Sequence, residues 1–552
     1  MSAANGPRTG RPPTYAPHGM VATPHVLASA AGLEALQRGG SAVDAAIAAN
    51  AVLCVIYPHM AGLGGDGFWL IAGPKTGGVQ ALDASGPAGQ EATRDFYQNK
   101  GCDSDIPARG ALAALTVPGA VDGWRMAHER FGRLAWADLF ATAIAYARDG
   151  VPVSRSLADW LAADLSILRQ FPETARIYLP EGEPQREGAR LVQSALARTF
   201  AELASDGARA FYEGDSPKRI CDGLRSEGSP LAPQDFAAYK AAWVAPITST
   251  YRGYDIFQMP PSTQGFSALQ ILNMLEGFDV SSWGEGTADY YHHLVEAVKI
   301  AFADRDEWLT DPRFVDIPLD RLLSKDYANE RRRLIDPRRA LVAEHIEPGV
   351  RFGGDAHRRS PGGDTCYFCA TDADGLVVSI IQSIYHDFGS AVVGGDTGII
   401  LQNRGSFFSL DERHPNRLEP GKRTFHTIIP AMMLRDNKPV LAYGTMGGEG
   451  QPQTQAALIT RMVDFGYDVQ QAIEAPRWLM GRTWGTASSN LSLESRIPDE
   501  AARELTLRGH PVQIVGGWSG TMGHAQAIRI DHDTGFFEGG ADPRGDGAAL
   551  GW

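Results

Sequence analysis

The chain has 552 residues and a formal net charge of −14, long enough for three domains, or for one layered unit assembled from distant stretches. An acidic balance without clustered Lys and Arg excludes a nucleic-acid footprint. No run of 18 apolar residues occurs and residues 1–15 lack the apolar core of a signal peptide, so a cytoplasmic protein without a membrane partner is expected. Five cysteines, an odd and sparse set, make no disulfide framework. In chain order, residues 1–18 read as a disordered tail and residues 19–364 as a mostly helical part. Its helical apolar spacing is plainest in residues 134–148, ending at Gly150, and in residues 290–304. A polar, glycine-rich run from Gly349 to Asp364 closes that part as a flexible segment. Residues 365–552 are strand-rich and open on a hairpin: 366–372, a turn at Asp372-Ala-Asp-Gly375, then 376–385. The second hairpin strand is apolar enough to be buried on both faces, as at the centre of a sheet covered by helices.

Chemistry concentrates at Asp364-Thr365, where the glycine-rich run meets the first strand of the hairpin. The Thr365 hydroxyl can attack the Asp364 carbonyl, shift the chain from nitrogen to oxygen, and after ester hydrolysis leave a new N-terminus. A freed N-terminal threonine carries its own base, because an α-amine titrates near pH ~8 beside the hydroxyl. Taken alone, Gly-Asp-Thr reads first as a linker ending at an ordinary strand. Cys366-Tyr-Phe-Cys369 suggests a redox pair or a metal site, but strand alternation points the two thiols to opposite faces, and no partner pair exists, so no metal is expected. Asp396-Thr-Gly398 resembles the aspartic-protease tripeptide, yet it has no second copy to share a proton and reads as a strand entry; Thr397 remains a formal rival nucleophile. Gly62-Leu-Gly-Gly-Asp-Gly67 lacks the Lys-Ser/Thr of a phosphate loop and reads as a close backbone crossing.

Several motifs in order resemble the γ-glutamyltransferase family of N-terminal-nucleophile hydrolases, from about Gly19 to the C-terminus. Residues 19–23, 28–36 and 39–47 look like its opening strand and helix, and residues 58–68 like its glycine-rich core signature. Residues 117–123, 444–448 and 542–547 follow, with Asp364-Thr365 itself. The resemblance implies a four-layer αββα sandwich and no cofactor. It also implies a precursor cut between Asp364 and Thr365 into a large and a small subunit that form a heterodimer, which the family also doubles.

Residue by residue, the resemblance keeps the machinery. Thr365 falls on the nucleophile and Ser383 on the hydroxyl that orients its amine and assists self-cleavage. Gly447 and Gly448 fall on the pair whose backbone N–H groups form the oxyanion hole. Cys366 replaces a second threonine. Recognition of glutamate is not kept. Pro87 or its neighbours stand where an arginine grips the α-carboxylate. Tyr385 replaces an asparagine, Arg404 and Phe407 replace the polar and acidic pair that holds the α-ammonium, and His426 and Thr427 replace paired serines. Arg in place of an acid removes the partner of an ammonium and installs one for a carboxylate. With bulky Tyr385, Phe407 and His426, the pattern looks like the oxamate amidohydrolase branch. It implies a small anionic amide as substrate, with Arg404, Tyr385, His426 and Thr427 at the substrate-binding positions and no role for Arg404 in maturation. The alternatives are a γ-glutamyltranspeptidase or glutathione hydrolase, and an unprocessed metabolite-binding paralogue.

Overall fold

The computed structural model describes residues 10–352, 364–481 and 488–552. Most of the glycine-rich run before Asp364, and residues 482–485 of a stretch that contributed to the branch resemblance, lie outside them. Two seven-stranded antiparallel sheets pack face to face. In sheet order the first runs Ala548–Gly551, Met20–Thr23, Asp364–Thr371, Val377–Tyr385, Asp66–Ala72, Gln80–Ala84 and Ala242–Val244. The second runs Thr14–Ala16, Phe537–Ala541, Ala525–Ile530, Lys438–Thr445, Ala431–Arg435, Tyr254–Gln258 and Ile247–Tyr251. Strands from both halves of the chain interleave in each sheet, so the expected division at residue 364 is a division of sequence and not of fold. Thr14–Ala16 corrects the tail expectation: it pairs in register with Phe537–Gly539 at a sheet edge, and ladder hydrogen bonds hold it in place.

Three cores give the layers. Between the sheets lie Met20, Phe68, Tyr367, Cys369, Ile381, Met432 and Ile528. Outside the first sheet, helices Val26–Gln37 and Ala42–Ile56 bury Cys366, Phe368 and Ile380. Outside the second, helices Gly265–Leu275, Ala288–Trp308 and Gly450–Val463 do the same for Met433, Leu441 and Ala527. Helix Ala42–Ile56 is buried all round, which its run of alanines and aliphatics permits. Its start is fixed by a capping box, Ser41 Oγ accepting from the Asp44 N–H and Asp44 accepting from the Ser41 N–H.

The predicted hairpin forms as Asp364–Thr371 and Val377–Tyr385, turning at Gly375 with φ 80°, and its second strand is buried throughout. Asp372 Oδ1 accepts from the N–H groups of Asp374 and Leu376, which is the local reason for the turn. Cys366 and Cys369 enter cores on opposite sides of the sheet, as alternation requires. The helix expected over 134–148 splits into a 3-10 turn, Trp136–Phe140, and helix Ala141–Asp149. Asp396-Thr-Gly398 is a turn and not a strand entry: Thr397 Oγ1 donates to Gly394 O at 2.6 Å, and Asp396 pairs with Arg219. The Gly62–Gly67 run is a close crossing; a Cβ on Gly64 would collide with Ile400 O, and one on Gly65 with Ser383 O.

Candidate active site

Three neighbouring strands of the first sheet end together and supply the floor of the site. Asp364 registers with Tyr385 and Cys366 with Gln382, so Thr365 alone faces both Ser383 and Ile384 in a bulge at the expected cut. Ser383 in turn registers with Asp66. Thr365 and Ser383 are fully buried on this bulge. From the second sheet, strand Lys438–Thr445 runs into Gly447 and Gly448, whose φ values of 125° and 51° lie where a side chain is strained. Helix Gly450–Val463 begins directly after them, so the turn lies at a helix N-terminus, where N–H groups favour negative charge.

Arg404 opens a short 3-10 turn, Arg404–Phe407, and is fully buried. Its Nη2 donates to Ser383 Oγ and its Nη1 to Thr427 Oγ1, each at 3.2 Å. The Tyr385 ring lies 4.3 Å from its guanidinium carbon and the Phe407 ring 5.5 Å away. No ion pair joins Arg404 to any carboxylate among the described side chains, and its Nε has no hydrogen-bond partner. Burial pushes its pKa down to about 10, partly opposed by Tyr385 and Asp66. A cation held in the interior without a paired carboxylate is costly, and a ligand carboxylate would relieve that cost.

Tyr385 adopts φ 81°, an outlier for a bulky residue, held by its N–H donating to Ser383 Oγ at 2.8 Å. Its ring packs at a tilt against Phe407, which stacks on Phe425. Phe407 and Phe425 also line a cavity of about 420 Å³ together with Arg305 and Asn416. His426, expected at a substrate-binding position, lies between Thr424 and Asp66. Its Nδ1 faces Thr424 O at 2.8 Å and its Nε2 faces Asp66 Oδ2 at 3.0 Å, so both ring nitrogens are engaged within the protein. Thr427 does join the site, through Arg404.

Asp66, inside a motif noted for its glycines, is the residue that sequence reading missed. Besides His426, it accepts the N–H groups of Gly86 and Gly119, both at 3.0 Å, tying residues 117–123 to the floor. Gln264 and Arg305 were missed as well. An arginine does reach the Asp83 region, from another segment: Arg423 donates to Ser85 O at 3.0 Å and lies 3.7 Å from Asp83. Beside the site, Arg109 donates to Asp387 at 2.8 Å and clamps the backbone oxygens of Asp387 and Gly389. Away from the site, His292, Glu296 and His510 have ligand spacing. The Lys299 ammonium sits 2.8 Å from Glu296 and 3.4 Å from His510 Nδ1, supplying the positive charge that a metal would bring.

The four-layer arrangement, with both halves of the chain interleaved in each sheet, is that of an N-terminal-nucleophile hydrolase. A family model described as Gamma-glutamyltranspeptidase matches residues 28–552, and the chain belongs to that family. It is 49% identical over 532 residues, 96% of this chain and 98% of the relative, to a glutathione hydrolase-like YwrD proenzyme of Bacillus subtilis (strain 168). It is 44% identical over 540 residues, 97% and 98% of the two chains, to an oxamate amidohydrolase proenzyme of Klebsiella pneumoniae subsp. pneumoniae. The crystal structure of a cephalosporin acylase from Bacillus halodurans superposes with a TM-score of 0.91 at 36% identity, covering 100% of this chain and 99% of that one. The chain is thus an enzyme, a hydrolase of linear amide C–N bonds from a family of self-processing precursors. No described helix is long and apolar enough to cross a membrane.

Proposed function

We propose that the chain matures by cleavage between Asp364 and Thr365 and then hydrolyses a small anionic amide, oxamate first, to oxalate and ammonia. The observation that carries the substrate class is Arg404, a buried cation with no described carboxylate partner, in hydrogen-bond contact with Ser383 beside the candidate nucleophile. In this reading the freed α-amine of Thr365 takes the proton of its own hydroxyl as Oγ attacks the amide carbon. The Gly447 and Gly448 N–H groups hold the developing oxyanion, and Arg404 holds the adjacent carboxylate. The C–N bond breaks, the leaving nitrogen takes the proton and departs as ammonia, and water hydrolyses the Thr365 ester to release oxalate. Ser383 orients the amine.

After cleavage, fragments 1–364 and 365–552 remain one body, because strands Met20–Thr23 and Asp66–Ala72 flank the hairpin 364–385 in the same sheet. We therefore infer a heterodimer as the working unit. Cys54, Cys221, Cys366 and Cys369 pack as buried free thiols, which suits a reducing, cytoplasmic setting. The testing experiment is ammonia release across a panel of small amides. Turnover of oxamate with weak turnover of γ-glutamyl-p-nitroanilide is expected; efficient γ-glutamyl turnover with none of oxamate restores the glutathione-hydrolase reading. An uncut and inactive chain on a denaturing gel favours a binding protein instead.

A further inference from the structure

Gln264 precedes helix Gly265–Leu275 and is fully buried, yet its carboxamide is completely engaged. Nε2 donates to Thr427 O at 2.6 Å and to Gly448 O at 3.0 Å. Oε1 accepts from Arg305 Nη1 at 3.1 Å. The Gln264 N–H also donates to His426 O at 3.0 Å. One amide thus joins the glycine turn at the end of strand Lys438–Thr445 to the residue whose hydroxyl receives Arg404.

The orientation of this amide is dictated by its neighbours. A flipped carboxamide would set its oxygen against two carbonyl oxygens and its NH₂ against a guanidinium, losing every bond. Arg305 is itself fixed, its Nε donating to Asp306 Oδ1 at 2.7 Å, and it faces the cavity lined by Phe407 and Phe425. Gly448 has no side chain to hold its backbone, and its left-handed φ of 51° is one that glycine adopts readily. Its carbonyl accepts a 3.3 Å bond from the Gln451 N–H, and the shorter bond from Gln264 ties the turn down further where catalysis needs a fixed N–H direction.

We propose that Gln264 is a positioning residue that locks the Gly447-Gly448 turn, with Arg305 setting the direction of its amide. This rests on the reading of that turn as the oxyanion hole. The test compares matured wild type with Gln264→Met, which keeps length and volume without donors, and with Gln264→Glu, which sets a carboxylate against both carbonyls. For oxamate, Gln264→Met is expected to lower kcat about 10- to 100-fold while inhibition by oxalate, which needs Arg404 and not an oxyanion donor, stays within about threefold. Gln264→Glu should lose more. In parallel, hydrogen exchange of residues 446–452 should quicken in both variants, a readout independent of substrate.

Unchanged kcat with unchanged exchange overturns the proposal, as does an equal loss of oxalate binding and turnover. If the wild type turns over γ-glutamyl-p-nitroanilide and not oxamate, the substrate reading fails, and Gln264 is then judged by kcat on that amide and by exchange. Should Gln264→Met fail to fold, Arg305→Lys, which keeps the charge but loses the planar fork, is expected to lower kcat and quicken exchange at 446–452; no change in either refutes the arrangement.

Discussion

Replacing Arg404 by Met tests whether the site is built around a missing anion. In the free enzyme, a fall in the arginine's pKa from 12.5 to about 10 corresponds to roughly 3 kcal/mol of disfavour for the charged form. Methionine removes that penalty but gives up two hydrogen bonds from a charged donor, worth about 1.5–3 kcal/mol each. Stability is therefore expected to hold or to fall by no more than about 3 kcal/mol, because the relieved penalty offsets much of the loss. Turnover is expected to suffer more. A substrate carboxylate loses a pair of charge-assisted hydrogen bonds, about 3–5 kcal/mol together, so kcat/KM for the anionic amide should fall at least 100-fold. Thermal denaturation and ammonia-release kinetics read the two effects. The structure revises one expectation here: because Arg404 donates to Ser383 Oγ, its loss should also slow maturation, and the kinetics must use fully cleaved protein. A variant that unfolds several degrees earlier yet keeps wild-type kcat/KM would show that Arg404 is a structural strut.

Thr365→Ala should abolish both cleavage and turnover and Thr365→Ser should retain part of each, read by intact mass and by N-terminal sequencing of the small chain; a small chain starting at Thr397 refutes the assignment. Gly448→Ala, forced to φ 51°, should displace the candidate oxyanion donor and lower kcat about 10²- to 10³-fold, with a stability loss near 1–2 kcal/mol on chemical denaturation. Burial and the neighbouring Asp387 carboxylate hold Asp164 up at about 9, while Asp164 and the Arg109 guanidinium keep Asp387 below its ordinary value. The folded state therefore binds more protons than the unfolded chain between about pH 4 and 9, and stability should fall as pH rises through that window. Asp164→Asn, which cannot ionise, should flatten the melting temperature over the same window; an unchanged slope refutes a raised Asp164 carboxyl as its source.

Local chemistry made much of this molecule legible in the sequence. The hairpin 364–385 follows from β-branched runs around an Asp-Ala-Asp-Gly turn, and period-two alternation alone sends Cys366 and Cys369 to opposite cores. The glycines of 62–67 announce a close crossing because only a missing Cβ permits it. Those are properties of a few consecutive residues, and the backbone expresses them wherever the segment lies. Partnership across the chain is another matter. Asp66 meets His426 across 360 positions, and Gln264 meets Gly448 across 184. No local pattern distinguishes His426 as a residue with both nitrogens engaged from His426 as a substrate ligand. Thr14–Ala16 looks like polar tail until strand Phe537–Ala541 offers it a ladder. The sequence by itself determined the strand that Thr365 begins, its turn and the periodicity of its faces. Only the stacking and register of the two sheets decided which buried groups face one another, because hydrogen bonds and uncompensated charge depend on distances that folding alone creates.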